Sequence, residues 1–230
     1  MEFLRRILIF LVLFAMSAFC VFGTNPNEEA NMLDALRFKE DYESLNGMPR
    51  SEKTFALYNT VYVPESNPVR YINAEEAADL MNSQFSVIYF GANWCPWCRN
   101  IIPVLLYEVE MRGLQTLFYV DVTDERDKYE LKGETALKTS EGTSGYSRIL
   151  KALDDYLDSY TLTSDSGKIV DIGEKRLYIP FLLVIENGRV MHAELCTYEL
   201  EPGQSKFDPL SEHQSNYLHL LFSEALRAAN

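Results

Sequence analysis

Short apolar blocks alternate with segments of helical spacing from residue 69 onward. Three blocks have the β-branched and aromatic composition of buried strands: VRYI, FSVIYFGA and LQTLFYVDV. The first segment between them begins at Asn73 with Glu76 three residues later, which is the pattern of a capping box. The second segment is predicted to be helical as far as about Arg112. This alternation of strands and helices predicts crossover connections and a largely parallel sheet.

The following part of the chain predicts one more helix, a hairpin and a closing helix. Residues 124–143 are polar, and an apolar stripe at helical spacing then predicts a helix docked on the sheet. The stripe consists of Tyr146, Ile149, Leu150, Leu153, Leu157 and Tyr160. In LYIPFLLVIENGRVMHAEL, Asn187 and Gly188 join two strands in the manner of a type I′ turn, so the sheet should end in an antiparallel pair. The last segment, LSEHQSNYLHLLFSEALRAAN, has the spacing of a helix.

The N-terminus has the pattern of an export signal. Arg5 and Arg6 precede an apolar run from residue 7 to residue 22, and this run is shorter than the roughly 20 residues that span a bilayer. We therefore interpret residues 1–23 as a signal peptide or membrane anchor, with lipidation at Cys20 as an alternative. The sequence predicts an extracytoplasmic protein that is secreted or membrane-anchored.

Residues 24–69 predict an N-terminal extension or linker ahead of the main domain at 70–230. The extension combines loosely helical spacing with one candidate strand, TFALYNTVYVP. The hydrophobic fraction of 47% is that of a globular protein, and the length suits one domain with an appendage. The formal net charge of −13 opposes binding to nucleic acid, because phosphates require clustered Lys and Arg.

The chemistry of the chain is concentrated in GANWCPWCRNIIP, where Cys95 and Cys98 lie two residues apart. The pair suits a redox dithiol, half of a metal site or a structural disulfide. Cys95 is predicted to open a helix, where unpaired N–H groups stabilise a thiolate, and Pro96 suits the first helical turn. Cys95 is then the exposed attacking thiol and Cys98 the resolving thiol, with Arg99 adding positive potential.

A second element supports the redox interpretation. A proline cannot donate to a sheet ladder, so Pro180 at the head of a strand is unusual. We expect a cis bond between Ile179 and Pro180. The metal alternative would combine the two cysteines with His192 and Cys196 as four zinc ligands. It requires the end of the hairpin to reach the helix start, whereas we expect His192 and Cys196 to lie on the far side from Pro180.

The segments YFGANWCPWCRNIIP, FYVDV and YIPFLLVIENGRV together resemble the thioredoxin superfamily. More narrowly, VRYINAEEAADLMN and GEKRLYIP are similar to exported or membrane-anchored thioredoxin-like proteins of Gram-positive bacteria, of the bacteriocin-transport accessory type. The resemblance implies a three-layer α/β/α sandwich, in which a mixed central sheet carries a C-terminal antiparallel hairpin. It also implies an enlarged insert, about 124–175, before the cis-proline strand.

The resemblance implies a protein thiol–disulfide oxidoreductase that acts on exported proteins through a mixed disulfide, with no cofactor and no metal. Its partners would be protein thiol or disulfide substrates and a redox partner protein. Cys95 and Cys98 would be catalytic, and five further residues would contact the substrate: Trp94, Pro96, Trp97, Ile179 and Pro180. We expect Trp97 to be partly exposed.

The chain departs from thioredoxin at two places. Tyr89 occupies the position of the buried acid that assists proton transfer in many thioredoxins, and Pro96-Trp97 replaces Gly-Pro between the cysteines. An alternative function is therefore a binding or accessory module with weak redox activity, which would hold a partner with the extension and the insert.

Overall fold

The computed structural model describes residues 26–51 and 54–229. The predicted signal peptide or anchor at 1–23 lies outside these ranges. Within them, no helix combines the length and the apolar character that a membrane crossing requires.

The described residues form five α-helices, two short 3-10 helices and eleven strands. The helices are α1 (Pro26–Glu43), α2 (Ala74–Leu80), α3 (Pro96–Met111), α4 (Ser144–Ala152) and α5 (Glu212–Ala225), and the 3-10 helices are Asp154–Tyr156 and Leu226–Ala229. The strands are β1 (Pro49–Ser51), β2 (Thr54–Leu57), β3 (Val69–Tyr71), β4 (Phe85–Gly91), β5 (Leu117–Asp121), β6 (Lys128–Lys132), β7 (Thr135–Ser140), β8 (Asp158–Thr163), β9 (Ile169–Arg176), β10 (Phe181–Glu186) and β11 (Arg189–Leu195).

A five-stranded mixed sheet has the order β11-β10-β4-β5-β3. β3 and β4 both run parallel to β5, whereas β10 is antiparallel to β4 and to β11. Asn187 and Gly188 join β10 to β11 with φ of 51° and 70°, the left-handed values that a type I′ turn needs. The predicted antiparallel terminal pair is confirmed, whereas the predicted largely parallel sheet holds only for β3, β4 and β5, because two of the four pairings are antiparallel. The capping box at Asn73 and Glu76 is also confirmed.

Helices pack on both faces of the sheet because β4 and its neighbours alternate their side chains between two cores. Val87 and Tyr89 face one core, to which α1, α3 and α5 contribute. Ile88 and Phe90 face the other core, to which α2 and α4 contribute. The fold is therefore mixed α/β, with helical layers on the two sides of one sheet.

The segment before β3 shares the first of these cores. Phe38 and Tyr42 of α1 are fully buried, and Val61 and Val63 pack into the same cluster. The strand predicted over TFALYNTVYVP is confined to β2, which pairs only with β1. The following backbone is held by side chains instead, since Val61 N–H donates to Asn46 Oδ1 at 3.0 Å and Val63 N–H donates to Glu43 Oε1 at 2.8 Å.

The segment 124–175 consists of two β-hairpins, β6–β7 and β8–β9, on either side of α4. The prediction of one helix through Tyr160 is wrong, because α4 ends at Ala152 and Tyr160 lies in β8. The core assignment holds nevertheless, since Leu157 and Tyr160 are buried. Leu157 N–H bonds to Asp154 O in a 3-10 turn, and the chain then continues into pairing with β9.

Gly145 allows α4 to approach α2 closely. A Cβ added there would collide with the backbone of Ala74 and Glu75. We expect Gly145→Ala to lower the free energy of unfolding by about 1–3 kcal/mol, since neither backbone can move without disturbing the core. Urea denaturation would measure the change. The control Ser147→Ala, at an exposed position of the same helix, should stay within about 0.5 kcal/mol of the wild type. An equally stable Gly145→Ala variant would contradict this tight approach.

Candidate functional site

Cys95 lies where β4 ends and α3 begins. Its backbone is extended, with φ of −76° and ψ of 120°, and its side chain caps the helix by accepting from Cys98 N–H at 3.5 Å. Cys95 N–H donates to Ala92 O at 3.1 Å, which fixes the turn after the strand. Pro96 occupies the first turn, where its missing N–H leaves no hydrogen bond unmade. The predicted position of Cys95 at the start of a helix is confirmed.

The Ile179-Pro180 peptide bond is cis and lies against the dithiol. The Cys95 thiol donates to Ile179 O at an Sγ to O distance of 3.9 Å. Cys196 N–H donates to Pro180 O at 2.8 Å, so Cys196 lies beside Pro180. The expectation that Cys196 lies on the far side from Pro180 is wrong, since the antiparallel pairing of β11 with β10 returns the chain to that end of the sheet.

Both thiols are buried, which corrects the expectation of an exposed attacking cysteine. Cys95 is 4% exposed and Cys98 is fully buried. Trp94, which precedes Cys95, is 39% exposed. Trp97 is half-buried, as expected, because its ring packs edge-on against Tyr198 with a centroid distance of 4.9 Å. Trp94 and Trp97 therefore offer accessible apolar surface next to the two buried thiols.

The surroundings shift the pKa values of the two thiols in opposite directions. The pKa of Cys95 is lowered by a hydrogen bond from the Cys98 thiol, against an opposing effect of burial, and then by the N–H groups of Cys98 and Trp97 and the charge of Arg126. Burial raises the pKa of Cys98 well above its ordinary value, and its interaction with Cys95 raises it further. Cys95 is therefore the thiol that ionises first.

Arg99 does not point its charge at the cysteines as the sequence had indicated. Its side chain is fully buried, and its guanidinium donates to Tyr42 O at 2.7 Å and to Asn93 O at 3.2 Å. It also donates to Asn46 Oδ1 at 2.6 Å, to Asn59 O at 2.7 Å and to Asn59 Oδ1 at 3.3 Å. Arg99 thus joins the start of α3 to the N-terminal segment, a role that no sequence pattern revealed.

Tyr89 is fully buried and interacts with Cys98. Its hydroxyl turns back over Gly91, where an added Cβ would lie only 2.6 Å from the hydroxyl oxygen. Among the described residues, neither this hydroxyl nor that of Tyr42 has a partner of normal hydrogen-bond geometry. Tyr89 opposes the burial effect by lowering the pKa of Cys98, whereas its own pKa is raised well above the ordinary value by burial. Tyr89 therefore favours ionisation of the resolving thiol while its own hydroxyl stays protonated, so it is not a base.

Arg126 belongs to the site although sequence analysis did not single it out. Its Cζ lies 5.6 Å from the centroid of the Trp94 ring, and its charge acts on Cys95. Trp94 is held in turn by Thr123, whose Oγ1 accepts from Trp94 Nε1 at 2.8 Å. Arg126 lies 31 positions after Cys95 in a polar loop, so only the fold reveals its proximity.

The four residues of the zinc alternative are not assembled. Across 26–51 and 54–229, no group of three or more His, Cys, Asp or Glu side chains could hold a metal ion. Cys196 is fully buried and its thiol donates to Glu194 O at 3.4 Å. His192 Nε2 lies 3.3 Å from Glu194 Oε2. Cys196 is thus engaged at the end of β11, which agrees with Cys196 as a small buried apolar residue.

Among Cys95, Cys98 and Cys196, the cysteines that the structure describes, we expect alkylation by iodoacetamide to be selective for Cys95. Its lowered pKa gives Cys95 a larger thiolate fraction at any given pH than a thiol at the ordinary pKa of about 8.5, which is mostly protonated at neutral pH. The rate should fall as the pH drops through that lowered pKa. Peptide mass spectrometry after short exposures across the pH range would follow each cysteine, and Cys196→Ser should give the same Cys95 profile. A Cys95 midpoint at or above about 8.5 would contradict the assignment.

No known protein-family model matches this chain, and no curated protein matches it either.

Proposed function

We propose that this protein is a thiol–disulfide oxidoreductase of the thioredoxin superfamily. Its three-layer α/β/α fold would be thioredoxin-like, with the segment 124–175 as an enlarged insert before the cis-proline strand. The substrates would be exported proteins, encountered outside the cytoplasm by a secreted or membrane-anchored enzyme. Cys95 and Cys98 would carry the reaction without a cofactor.

The observation that carries this proposal is the asymmetry of the two thiols. Cys95 caps α3 and has a lowered pKa, while Cys98 is fully buried one turn later and has a raised pKa. A thiolate is the nucleophile in disulfide exchange, so an asymmetric pair defines which sulfur attacks and which one resolves.

The exchange needs no reactant other than the substrate disulfide and the two cysteines. The Cys95 thiolate attacks one sulfur of a substrate disulfide, the S–S bond breaks, and the other sulfur leaves as a thiolate. Cys98 then attacks Cys95 Sγ, and the bond between Cys95 and the substrate sulfur breaks. The proton lost by Cys98 ends on that departing sulfur, which leaves as a thiol, and a Cys95–Cys98 disulfide remains. The Tyr89 hydroxyl stabilises the Cys98 thiolate in this second step. Run backwards, the same steps oxidise a dithiol substrate.

The residues around Cys95 suit a polypeptide substrate. Trp94 and half-buried Trp97 offer apolar surface on either side of the nucleophile, and Pro96 lies between Cys95 and Trp97. The backbone of Ile179, next to Pro180, already contacts Cys95 Sγ. In the superfamily that the chain resembles, this backbone pairs with the substrate, and we propose the same role here.

An insulin-reduction assay with dithiothreitol, together with a thiol-oxidation assay, tests the proposal. The wild type should accelerate at least one of the two reactions, Cys95→Ser should be inactive, and Cys196→Ser should match the wild type because Cys196 is buried. A wild type without thiol-dependent activity in either assay would overturn the proposal. That result would favour the binding-module alternative, in which the extension and the insert hold a partner.

A further inference from the structure

Arg126 is the residue near the dithiol whose donors have no assigned partner. Within the described residues, no side chain or carbonyl accepts a hydrogen bond from its guanidinium and no carboxylate pairs with it; the Trp94 ring is its direct contact. A guanidinium carries five donors in a planar fork suited to carboxylates. The side chain is only half-buried, and none of its nitrogens is among the buried unpartnered atoms of the described residues, so the donors are accessible to a ligand from outside the chain.

The neighbouring acids cannot serve as that ligand because each is committed elsewhere. Asp124 lies 3.7 Å from Lys128 Nζ, and Asp127 accepts from Arg176 at 2.6 Å. Glu125 uses one oxygen to accept from Ala74 N–H at 3.1 Å and the other to accept from Thr143 at 2.6 Å. The loop therefore holds three carboxylates away from the one guanidinium beside the nucleophile.

The position of Arg126 is fixed relative to Cys95. Its backbone N–H donates to Val122 O at 3.3 Å, directly after β5. Thr123 in the same turn binds the Trp94 indole, and Trp94 is the residue before Cys95. The charged and titratable groups that interact with Cys95 include Cys98, Arg126 and Tyr198, while Arg176, Tyr146 and Tyr160 act on Arg126.

We propose that Arg126 binds a carboxylate of the substrate next to the disulfide that Cys95 attacks. The chain carries a net charge of −13, so an anionic substrate would be repelled over most of the surface. The Arg126 guanidinium near Cys95 replaces this repulsion by a local attraction. It would therefore select substrates that carry an acidic group near the reacting sulfur. The role presupposes the exchange activity proposed above.

Two small disulfides of opposite charge distinguish carboxylate binding by Arg126 from a general effect of its charge on the Cys95 thiolate. Oxidised glutathione carries carboxylates, whereas cystamine carries ammonium groups. For each, the rate constant of attack by reduced protein would be measured under one buffer condition near physiological ionic strength. We expect Arg126→Gln to lower the rate with oxidised glutathione about tenfold relative to the rate with cystamine, the magnitude of a charge-assisted hydrogen bond.

Two variants control for charge and geometry. Lys128→Gln removes a nearby positive charge that is paired with Asp124, and it should leave the ratio of the two rates within about twofold, because exposed charges are screened. Arg126→Lys keeps the charge but loses the planar set of donors. Its ratio of the rate with oxidised glutathione to the rate with cystamine should therefore lie between those of Arg126→Gln and the wild type.

The outcomes are distinct. A selective loss with oxidised glutathione in Arg126→Gln supports carboxylate recognition. An equal loss with both disulfides would show that Arg126 acts on the thiolate alone, and no change would show that it does neither; both results overturn the proposal. If the wild type attacks neither disulfide, the proposed exchange activity itself fails.

Discussion

Replacing Arg99 with alanine should lower the free energy of unfolding by about 3–5 kcal/mol, the cost of breaking a buried charged network. Five hydrogen bonds connect this fully buried guanidinium to Tyr42, Asn93, Asn46 and Asn59. Alanine would leave their oxygens buried without donors and would create a cavity at the start of α3. A domain with a typical stability of about 5–15 kcal/mol would lose a large part of it.

Urea denaturation of four variants tests this role of Arg99. Arg99→Lys keeps the charge but cannot reproduce the fork, so it should fall between Arg99→Ala and the wild type and remain measurable if Arg99→Ala does not fold. Arg148→Ala is the control, because Arg148 is half-exposed and its pairs with Glu75 and Asp79 contribute about 1 kcal/mol or less. Wild-type stability in Arg99→Met would contradict the account, since methionine supplies no donors.

Replacing Cys98 with serine should convert turnover into a trapped intermediate. Cys95 can still attack oxidised glutathione in this variant, but the group that resolves the mixed disulfide is missing. We expect Cys98→Ser to release one glutathione and to retain one glutathionyl group on Cys95, whereas the wild type should end as the internal disulfide. The intact mass and the peptide map would show both products.

Serine variants of the other cysteines show whether the trapped glutathionyl group depends on Cys95. Cys95→Ser should form no adduct at Cys98 or Cys196, because these two thiols are fully buried and their pKa values are raised by burial. Cys196→Ser should behave as the wild type. A glutathionyl group found on Cys98 in Cys95→Ser, at the rate seen for Cys95, would show that the two thiols are not asymmetric.

Local patterns predicted the elements that lie closest to the dithiol. The helix start at Cys95, the capping box at Asn73 and the turn at Asn187-Gly188 each depend on a few adjacent residues. The alternation of β4 between two cores also follows from its own composition, since a strand buried on both faces reads as a continuous apolar run. These features could be predicted because their physical causes lie within one short segment.

The features that the sequence did not predict depend on distant partners. The apolar stripe through Tyr160 has helical spacing, yet pairing with β9 makes its last part a strand. Nothing near Arg99 in the sequence indicates that its side chain is buried, because its partners Asn46 and Asn59 are at least 40 positions away. Arg126 is likewise one charge in a polar loop until the fold places it beside Trp94. Such contacts join residues far apart in sequence, and local periodicity carries no information about them.

The redox equilibrium of Cys95 and Cys98 tests the central claim most directly. The protein would be equilibrated in glutathione buffers of graded potential, then acid-quenched, alkylated and mapped by mass spectrometry. We predict one reversible two-electron transition that links Cys95 to Cys98, with a midpoint between about −270 and about −120 mV, the span of thioredoxin-fold reductants and oxidants. Free thiols at both positions across the whole range would contradict a redox-active dithiol.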